Sequence, residues 1–221
     1  MSAYPRIAIT GDIGSGKSAV GKILRDRLGF AFYSTGELQR RIAAERGMTT
    51  LELNQYAETH PEIDREIDGK TVELDGQPEP FIIDSRIAWH FIPTAYKVYL
   101  RVDPDVAVDR IMAAGRHDER YASREAGKTE IRSRRRSETE RFREIYGIDL
   151  TNMANFDLVV DTSFAPPDAV ADAIVASFEA WRSGKPCPTM FVSPRQLDPE
   201  SPHARAALRA GVPLVPVKAL A

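Results

Sequence analysis

The sequence contains one cysteine, Cys187, among its 221 residues. A single thiol cannot form a disulfide within the chain, and it cannot supply the ligands of a cysteine-based zinc site. The four histidines do not have the spacing of metal ligands. A net charge of -2 gives no support for a nucleic acid as the partner. These absences exclude disulfide scaffolds and zinc modules, and they disfavour nucleic-acid binders.

Long hydrophobic runs are missing as well. No apolar stretch approaches the ~20 residues that a membrane-spanning helix needs. The first residues lead directly into a short apolar run, so we expect no signal peptide. With 43% hydrophobic residues, the chain can bury one good core and carry an appendage. We therefore expect a cytoplasmic protein with no membrane partner.

What the sequence does have is a glycine-rich motif near its start. Residues 11–18 read GDIGSGKS and lie between an apolar run and a helical pattern, which is the P-loop arrangement Gly-x-x-x-x-Gly-Lys-Ser. Glycines let the backbone turn with positive φ, and amides at a helix N-terminus attract anions. The motif predicts a nucleoside triphosphate site made of the following residues: Gly11, Asp12, Ile13, Gly14, Ser15, Gly16, Lys17, Ser18 and Ala19.

Two P-loop side chains have predicted roles of their own. We expect the ammonium group of Lys17 to reach the β- and γ-phosphates of ATP, and the hydroxyl of Ser18 to ligate Mg²⁺. The guanine signature Asn-Lys-x-Asp does not occur in the sequence, which disfavours a GTPase.

Short apolar runs alternate with helical patterns from residue 6 to residue 181. The predicted strands are 6–10, 30–33, 81–83, 97–102 and 158–160. The predicted helices are 17–28, 36–47, 50–74, 104–114, 129–145 and 167–181. Short strands between longer helices are typical of βαβ units with a parallel sheet. The predicted fold is therefore α/β, with three layers around a parallel sheet.

The composition changes near residue 184. Seven of the 15 prolines lie in residues 186–221, where two apolar runs, 191–194 and 212–217, flank a short helical pattern at 203–209. We interpret residues 1–184 as one P-loop domain and residues 185–221 as a proline-rich C-terminal extension. Its apolar content indicates that it packs on the core, forms a dimer contact or binds a partner.

Polar residues follow two of the predicted strands. Thr35 and Arg40 come after the second strand, and Asp84 and Arg86 come after the third. The carboxyl ends of parallel strands line the ligand crevice of such folds. Asp84 is placed to hold a water bound to Mg²⁺, and arginine side chains can bind a phosphate through two hydrogen bonds.

Residues 110–147 hold ten arginines and one lysine against seven acidic residues. Arg134, Glu138 and Arg141 lie on one face of a predicted helix. Phosphoryl transfer requires that charge on the moving group be neutralised away from water. We therefore predict an arginine-rich lid at about 115–147, in which Arg134 and Arg141 are catalytic. Three further lid arginines, Arg135, Arg136 and Arg143, are interpreted as solvent-exposed.

Two arginines at the entry to this lid, Arg110 and Arg116, are predicted to face the nucleotide donor. The alternative for both is an ordinary charged helix surface.

Six segments together resemble the cytidylate kinase family, in particular its shorter archaeal-type branch. They are spread over the match, which extends over about residues 1–180, and read GDIGSGKS, STGELQR, ERGMTTLELNQYAETHPEIDREID, IIDSR, SETERFREIYGID and FDLVVDTS. The resemblance implies a P-loop nucleoside monophosphate kinase with a helical acceptor-binding region and a lid. It further implies transfer of the γ-phosphoryl group from ATP to CMP or dCMP, with Mg²⁺.

Carried over by position, the resemblance implies individual roles. Thr35, Arg40 and Arg86 form the site for the acceptor phosphate, and Glu138 contacts the pyrimidine. The catalytic set is Lys17, Arg86, Arg134 and Arg141.

Two other functions remain open at this stage. One is a kinase that phosphorylates a hydroxyl or a different phosphate of a small metabolite, for which Asp84 is the candidate base. The other is a regulatory protein that binds nucleotide and acts through residues 185–221. Ser85 and the extension depart from the family pattern.

Overall fold

The computed structural model describes residues 4–114, 121–184, 189–192 and 214–216. The strands in these ranges are β1 (Arg6–Gly11), β2 (Ala31–Ser34), β3 (Phe81–Asp84), β4 (Tyr96–Arg101), β5 (Leu158–Asp161), β6 (Thr189–Val192) and β7 (Leu214–Pro216). They form one sheet in the order β2-β3-β1-β4-β5-β6-β7, and every pairing is parallel. The predicted α/β fold with a parallel sheet is confirmed.

The helices connect and cover these strands. They are α1 (Lys17–Leu28), α2 (Thr35–Glu45), α3 (Thr50–Tyr56), α4 (Glu62–Asp75), α5 (Ala88–Phe91), α6 (Pro104–Ala113), α7 (Arg124–Tyr146) and α8 (Pro167–Arg182). No helix in the described ranges is long and apolar enough to cross a membrane.

Both faces of the sheet are buried, because successive residues of a strand point to opposite sides. On β1, Ile7 enters a core with Leu24 of α1. The next residue, Ala8, enters a second core with Trp89 of α5 and Phe142 of α7. This two-sided burial explains why the strands are apolar throughout.

One predicted helix is two helices in the structure. The pattern over 50–74 is interrupted between α3 and α4, where His60 precedes Pro61. Proline disfavours a helical conformation in the residue before it, so α4 begins only at Glu62. Helices α2, α3 and α4 share a small apolar core that includes Ile42, Leu53 and Ile63.

The lid helix begins earlier than predicted. The expected range was 129–145, whereas α7 starts at Arg124. The reason is a cap: the backbone amide of Ala126 donates to the Ser123 hydroxyl at 3.1 Å.

The C-terminal extension contributes strands to the sheet. Strand β6 pairs with β5, and β7 pairs with β6, so both continue the sheet of the same chain. They overlap the two apolar runs of the sequence. The expected helical pattern at 203–209 lies outside the described residues, and the dimer contact proposed for this region is not supported. The domain boundary near 184 stays a prediction.

Candidate active site

A cavity of about 410 Å³ opens at the carboxyl ends of the strands. The predicted site residues on its wall are Ile13, Gly14, Ser15, Gly16, Lys17, Ser18, Ala19, Thr35, Arg40, Asp84, Arg86, Arg110 and Arg134. The predicted residues that do not line it are Gly11, Asp12, Glu138 and Arg141. Arg116 lies outside the described residues. One cavity thus joins the P-loop to the ends of β2 and β3.

The P-loop backbone turns closely between β1 and α1. Gly16, directly before α1, has a φ of 86° in the left-handed region. A side chain at Gly11 would collide with the backbone carbonyl of Leu100 on β4. Glycine is therefore required at both positions, and the loop can present its amides to an anion at the start of α1.

Lys17 is held by the loop to which it belongs. Its Nζ donates to the backbone carbonyls of Gly11 at 3.1 Å and of Asp12 at 2.8 Å. Burial, and next the positive charge of Arg86, lower the pKa of Lys17 to about 8. A nearby anion favours the charged form of an amine. The environment of Lys17 therefore suits a ligand that brings negative charge.

Ser18 and Asp84 bring two oxygen groups together beside the P-loop. The Ser18 hydroxyl donates to the Asp84 carboxylate at 2.7 Å. Asp84 ends β3 and is buried, whereas Ser18 lies in the first turn of α1. Mg²⁺ prefers oxygen ligands, and it usually takes one or two from the protein and the rest from water and phosphate. These residues fit the metal that the sequence predicts.

Glu138 joins two arginines of the site. Its carboxylate accepts a hydrogen bond from Arg134 Nε at 3.1 Å and pairs with Arg86 Nε at 3.0 Å. Burial alone would raise the pKa of Glu138, but the two guanidinium groups outweigh burial and hold that pKa below its usual value. The carboxylate thus stays charged and orients both arginines. Its contact with a pyrimidine stays a prediction.

Arg141 lies at a joint between helices instead of on the cavity wall. Its Nε pairs with Asp64 on α4 at 2.9 Å, and its NH1 donates to the backbone carbonyl of Asn54 on α3 at 3.3 Å. These partners hold the guanidinium in a buried position. Arg141 therefore links α7 to α3 and α4. Its catalytic role stays a prediction.

The α2 end of the cavity carries a cation that has no partner among the described residues. Arg40 lines the cavity, and its side chain forms no ion pair or hydrogen bond within the ranges that the structure describes. Gln39, which the sequence analysis missed, lines the same wall. Thr35 donates to the backbone carbonyl of Asp84 at 3.3 Å, so it connects α2 to the end of β3.

The α6 end of the cavity is largely apolar. Its lining residues are Ile111, Ala114, Ala165, Pro167 and Val170. Arg110 borders this part and donates to the backbone carbonyl of Thr162 at 2.6 Å and to its hydroxyl at 3.2 Å. Burial lowers the pKa of Arg110. The loop after β5 lies within the segment FDLVVDTS that the family resemblance included, but no role was predicted for Thr162.

Arg135 is exposed, as the sequence predicts, but it also makes contacts that the sequence did not indicate. Its side chain is 47% exposed, its NH1 pairs with Asp12 at 2.7 Å and its NH2 donates to the Tyr99 hydroxyl at 3.3 Å. The lid helix therefore contacts both the cavity, through Arg134, and the back of the P-loop.

Asp68 is a second buried carboxylate, besides Asp64, between α4 and α7. The Tyr146 hydroxyl on α7 donates to the Asp68 carboxylate on α4 at 2.6 Å. Burial raises the pKa of Asp68 to about 7, the Tyr146 hydrogen bond opposes this shift, and the charge of Asp64 adds to it.

This pKa predicts a pH-dependent stability. Between the ordinary aspartate value and about 7, the folded protein keeps a proton that the unfolded chain loses, so stability falls as pH rises through that window. The substitution Asp68→Asn should therefore be more favourable at pH ~8 than at pH ~5, by about 2 kcal/mol. Urea unfolding at both pH values measures this, with the exposed Asp26→Asn as control. Equal effects at the two pH values would contradict the prediction.

Taken together, a parallel α/β sheet, a P-loop and converging arginines define a P-loop kinase. A family model described as "AAA domain" matches residues 7–143. Cytidylate kinase from Methanothermobacter thermautotrophicus is 38% identical over 157 residues, which are 71% of this chain and 94% of that protein. Shikimate kinase from Bacteroides thetaiotaomicron has a similar fold, with a TM-score of 0.56 at 17% identity over 79% of this chain and 98% of that one.

One relative is considerably longer than this chain. The S-adenosylmethionine-dependent nucleotide dehydratase from Lacinutrix mariniflava is 37% identical over 175 residues, which are 79% of this chain but only 36% of that protein. The chain thus spans about a third of that relative.

These similarities show that the chain belongs to the cytidylate kinase-like family of nucleoside monophosphate kinases. It is an ATP-dependent phosphotransferase.

Proposed function

We propose that the protein transfers the γ-phosphoryl group of ATP to the phosphate of CMP or dCMP and forms the diphosphate. The observation that carries this proposal is Arg40, which lines the same cavity as the P-loop and Arg86 and forms no ion pair or hydrogen bond with any residue that the structure describes. A guanidinium that shares a cavity with a triphosphate site fits a second phosphate-bearing substrate. The archaeal relatives named cytidylate kinase support CMP as that substrate.

In the proposed complex, ATP lies along the cavity from the P-loop to its apolar end. The triphosphate binds the P-loop with Lys17, and the adenine packs against the apolar wall beside Arg110. Ser18 and Asp84 hold Mg²⁺, which when bound neutralises charge on the phosphate oxygens.

The proposed reaction needs positioning and charge neutralisation, because the acceptor phosphate is already ionised at pH ~7 and requires no general base. Arg40 holds the acceptor phosphate. Arg86 and Arg134, which Glu138 orients, neutralise the charge that develops on the moving phosphoryl group. An attacking oxygen of the acceptor phosphate forms the new P–O bond as the bond to ADP breaks.

A hydroxyl acceptor is less well supported. It would need a base, and Asp84, the candidate, accepts the Ser18 hydrogen bond in the position proposed for metal binding. The shikimate kinase likeness, at 17% identity, concerns the fold alone.

The test is an ADP-release assay with CMP, dCMP, the other nucleoside monophosphates and simple alcohols. We expect turnover to be fastest with CMP or dCMP. Equal, feeble rates on every nucleotide would contradict the proposal, and turnover of an alcohol would favour the other kinase.

A pair of neighbouring arginines sharpens this test. Arg40→Ala should raise the KM for the acceptor about 10- to 100-fold, the equivalent of one lost charged hydrogen bond or two, with the KM for ATP unchanged. Arg41→Ala, at the next and exposed position of α2, should change neither constant. If both variants behave alike, Arg40 does not bind the acceptor.

A further inference from the structure

The P-loop contains a carboxylate, although the ligand proposed for this loop is the negatively charged triphosphate of ATP. Asp12 is the second residue of the motif, and its side chain is only 10% exposed. It does not line the cavity, so its charge lies behind the phosphate site. A negative charge near a triphosphate weakens binding unless a cation compensates it, because Coulomb interactions act over such distances in a partly buried site.

Three groups hold this carboxylate. The Tyr99 hydroxyl donates to it at 2.7 Å, the Val102 amide donates to it at 3.1 Å, and Arg135 of the lid helix pairs with it at 2.7 Å. Tyr99 is buried, and burial together with the charge of Asp12 raises its pKa, so it remains a donor. Of these three groups, only Arg135 brings a positive charge.

The backbone of Asp12 takes part in the same site. Its carbonyl accepts the Lys17 Nζ hydrogen bond at 2.8 Å. Its amide donates to the Leu100 carbonyl at 2.9 Å. The residue that Arg135 holds by its side chain therefore also positions the amine that binds phosphate.

We propose that Arg135 is a positioning residue for the donor site: it neutralises Asp12 behind the P-loop and thereby couples ATP affinity to the position of the lid helix. Arg134 and Arg135, which are adjacent on α7, then have different roles. Arg134 lines the cavity, and Arg135 pairs with Asp12 behind the P-loop. The proposal rests on the donor half of the proposed function and does not depend on which acceptor the enzyme uses.

The decisive variants separate charge from structure. In Arg135→Ala, the Asp12 carboxylate keeps its two neutral donors but loses the cation that pairs with it directly, so more of its charge acts on the donor site and the affinity for a nucleotide should fall. In the double variant D12N/R135A, the amide oxygen can accept from Val102 and the amide nitrogen can donate to the Tyr99 oxygen. The negative charge is then gone, and affinity should return.

The experiment measures binding of the β,γ-imido analogue of ATP with Mg²⁺ by calorimetry, at low ionic strength and without an acceptor. We expect Kd to rise about tenfold in Arg135→Ala and to return to within about threefold of the original value in D12N/R135A. Arg136→Ala is the matched control, because Arg136 lies next along the same helix, is 80% exposed and pairs with Glu140. It should leave Kd unchanged.

Two outcomes would overturn the proposal. An unchanged Kd in Arg135→Ala would show that Asp12 needs no cation, and a double variant as weak as Arg135→Ala would show a structural role only. If Arg135→Ala unfolds, Arg135→Gln tests the same charge with a donor retained. A wild-type protein that binds the analogue but phosphorylates no nucleotide would refute the acceptor assignment alone.

Discussion

Replacing Lys17 with methionine should lower the rate of phosphoryl transfer about 1,000-fold. In the proposed function the ammonium group binds the β- and γ-phosphates, and loss of one preorganised charge of this kind costs about 10²- to 10³-fold or more. The measurement is kcat with saturating ATP and CMP.

The same substitution should not unfold the protein. Burial already disfavours the charged form of Lys17, because it lowers the pKa to about 8. A methionine fills a similar volume without a charge, so the free energy of unfolding should stay the same or rise. Lys22→Met, at an exposed position of α1, is the control for the chemical change. Retention of more than a tenth of the wild-type rate in Lys17→Met would remove Lys17 from the catalytic set.

The pKa of Lys17 adds a dependence on pH. Above pH ~8 the ligand-free protein loses the proton of Lys17, so ATP must bind together with a proton and its affinity should decline. Lys17→Met should not show this decline.

The parts of the site that are local in sequence could be predicted. The P-loop residues form a contiguous motif, and Asp84 and Arg86 follow a recognisable apolar strand. Parallel strands bring their carboxyl ends to one edge, so the meeting of these residues followed from the fold class. The break before Pro61 is also encoded locally, because proline disfavours a helical conformation in the residue before it.

The environments of the lid-helix arginines could not be predicted from the local sequence. Arg134, Arg135 and Arg136 are adjacent, and their environments depend on how α7 lies on the sheet. In the structure the first lines the cavity, the second pairs with Asp12 and the third is exposed. Arg141 depends on Asp64, which is 77 residues away in the sequence. Pairings at such separations come from tertiary packing, which helical periodicity does not encode.

The other large effect is expected from Arg86→Ala, which should lower kcat about 100- to 1,000-fold. Arg86 lines the cavity and contacts both the P-loop and Glu138 of α7. Its NH1 donates to the Gly11 carbonyl at 2.7 Å, and its Nε pairs with Glu138 at 3.0 Å. In the proposed function the substitution removes a positive charge that stabilises the moving phosphoryl group, and steady-state kinetics with CMP measure the loss.

Loss of Arg86 also disturbs a buried carboxylate, so activity and stability must be separated. Glu138 would keep Arg134 as a partner but lose one of the arginines that compensate its charge, which lowers stability. The double variant R86A/E138Q removes that carboxylate charge and should regain stability without regaining the rate. Wild-type kcat and acceptor KM in Arg86→Ala would show that Arg86 is a structural ion-pair partner and no part of the transfer machinery. Recovery of the rate in the double variant would instead show that Arg86 matters only because it neutralises Glu138.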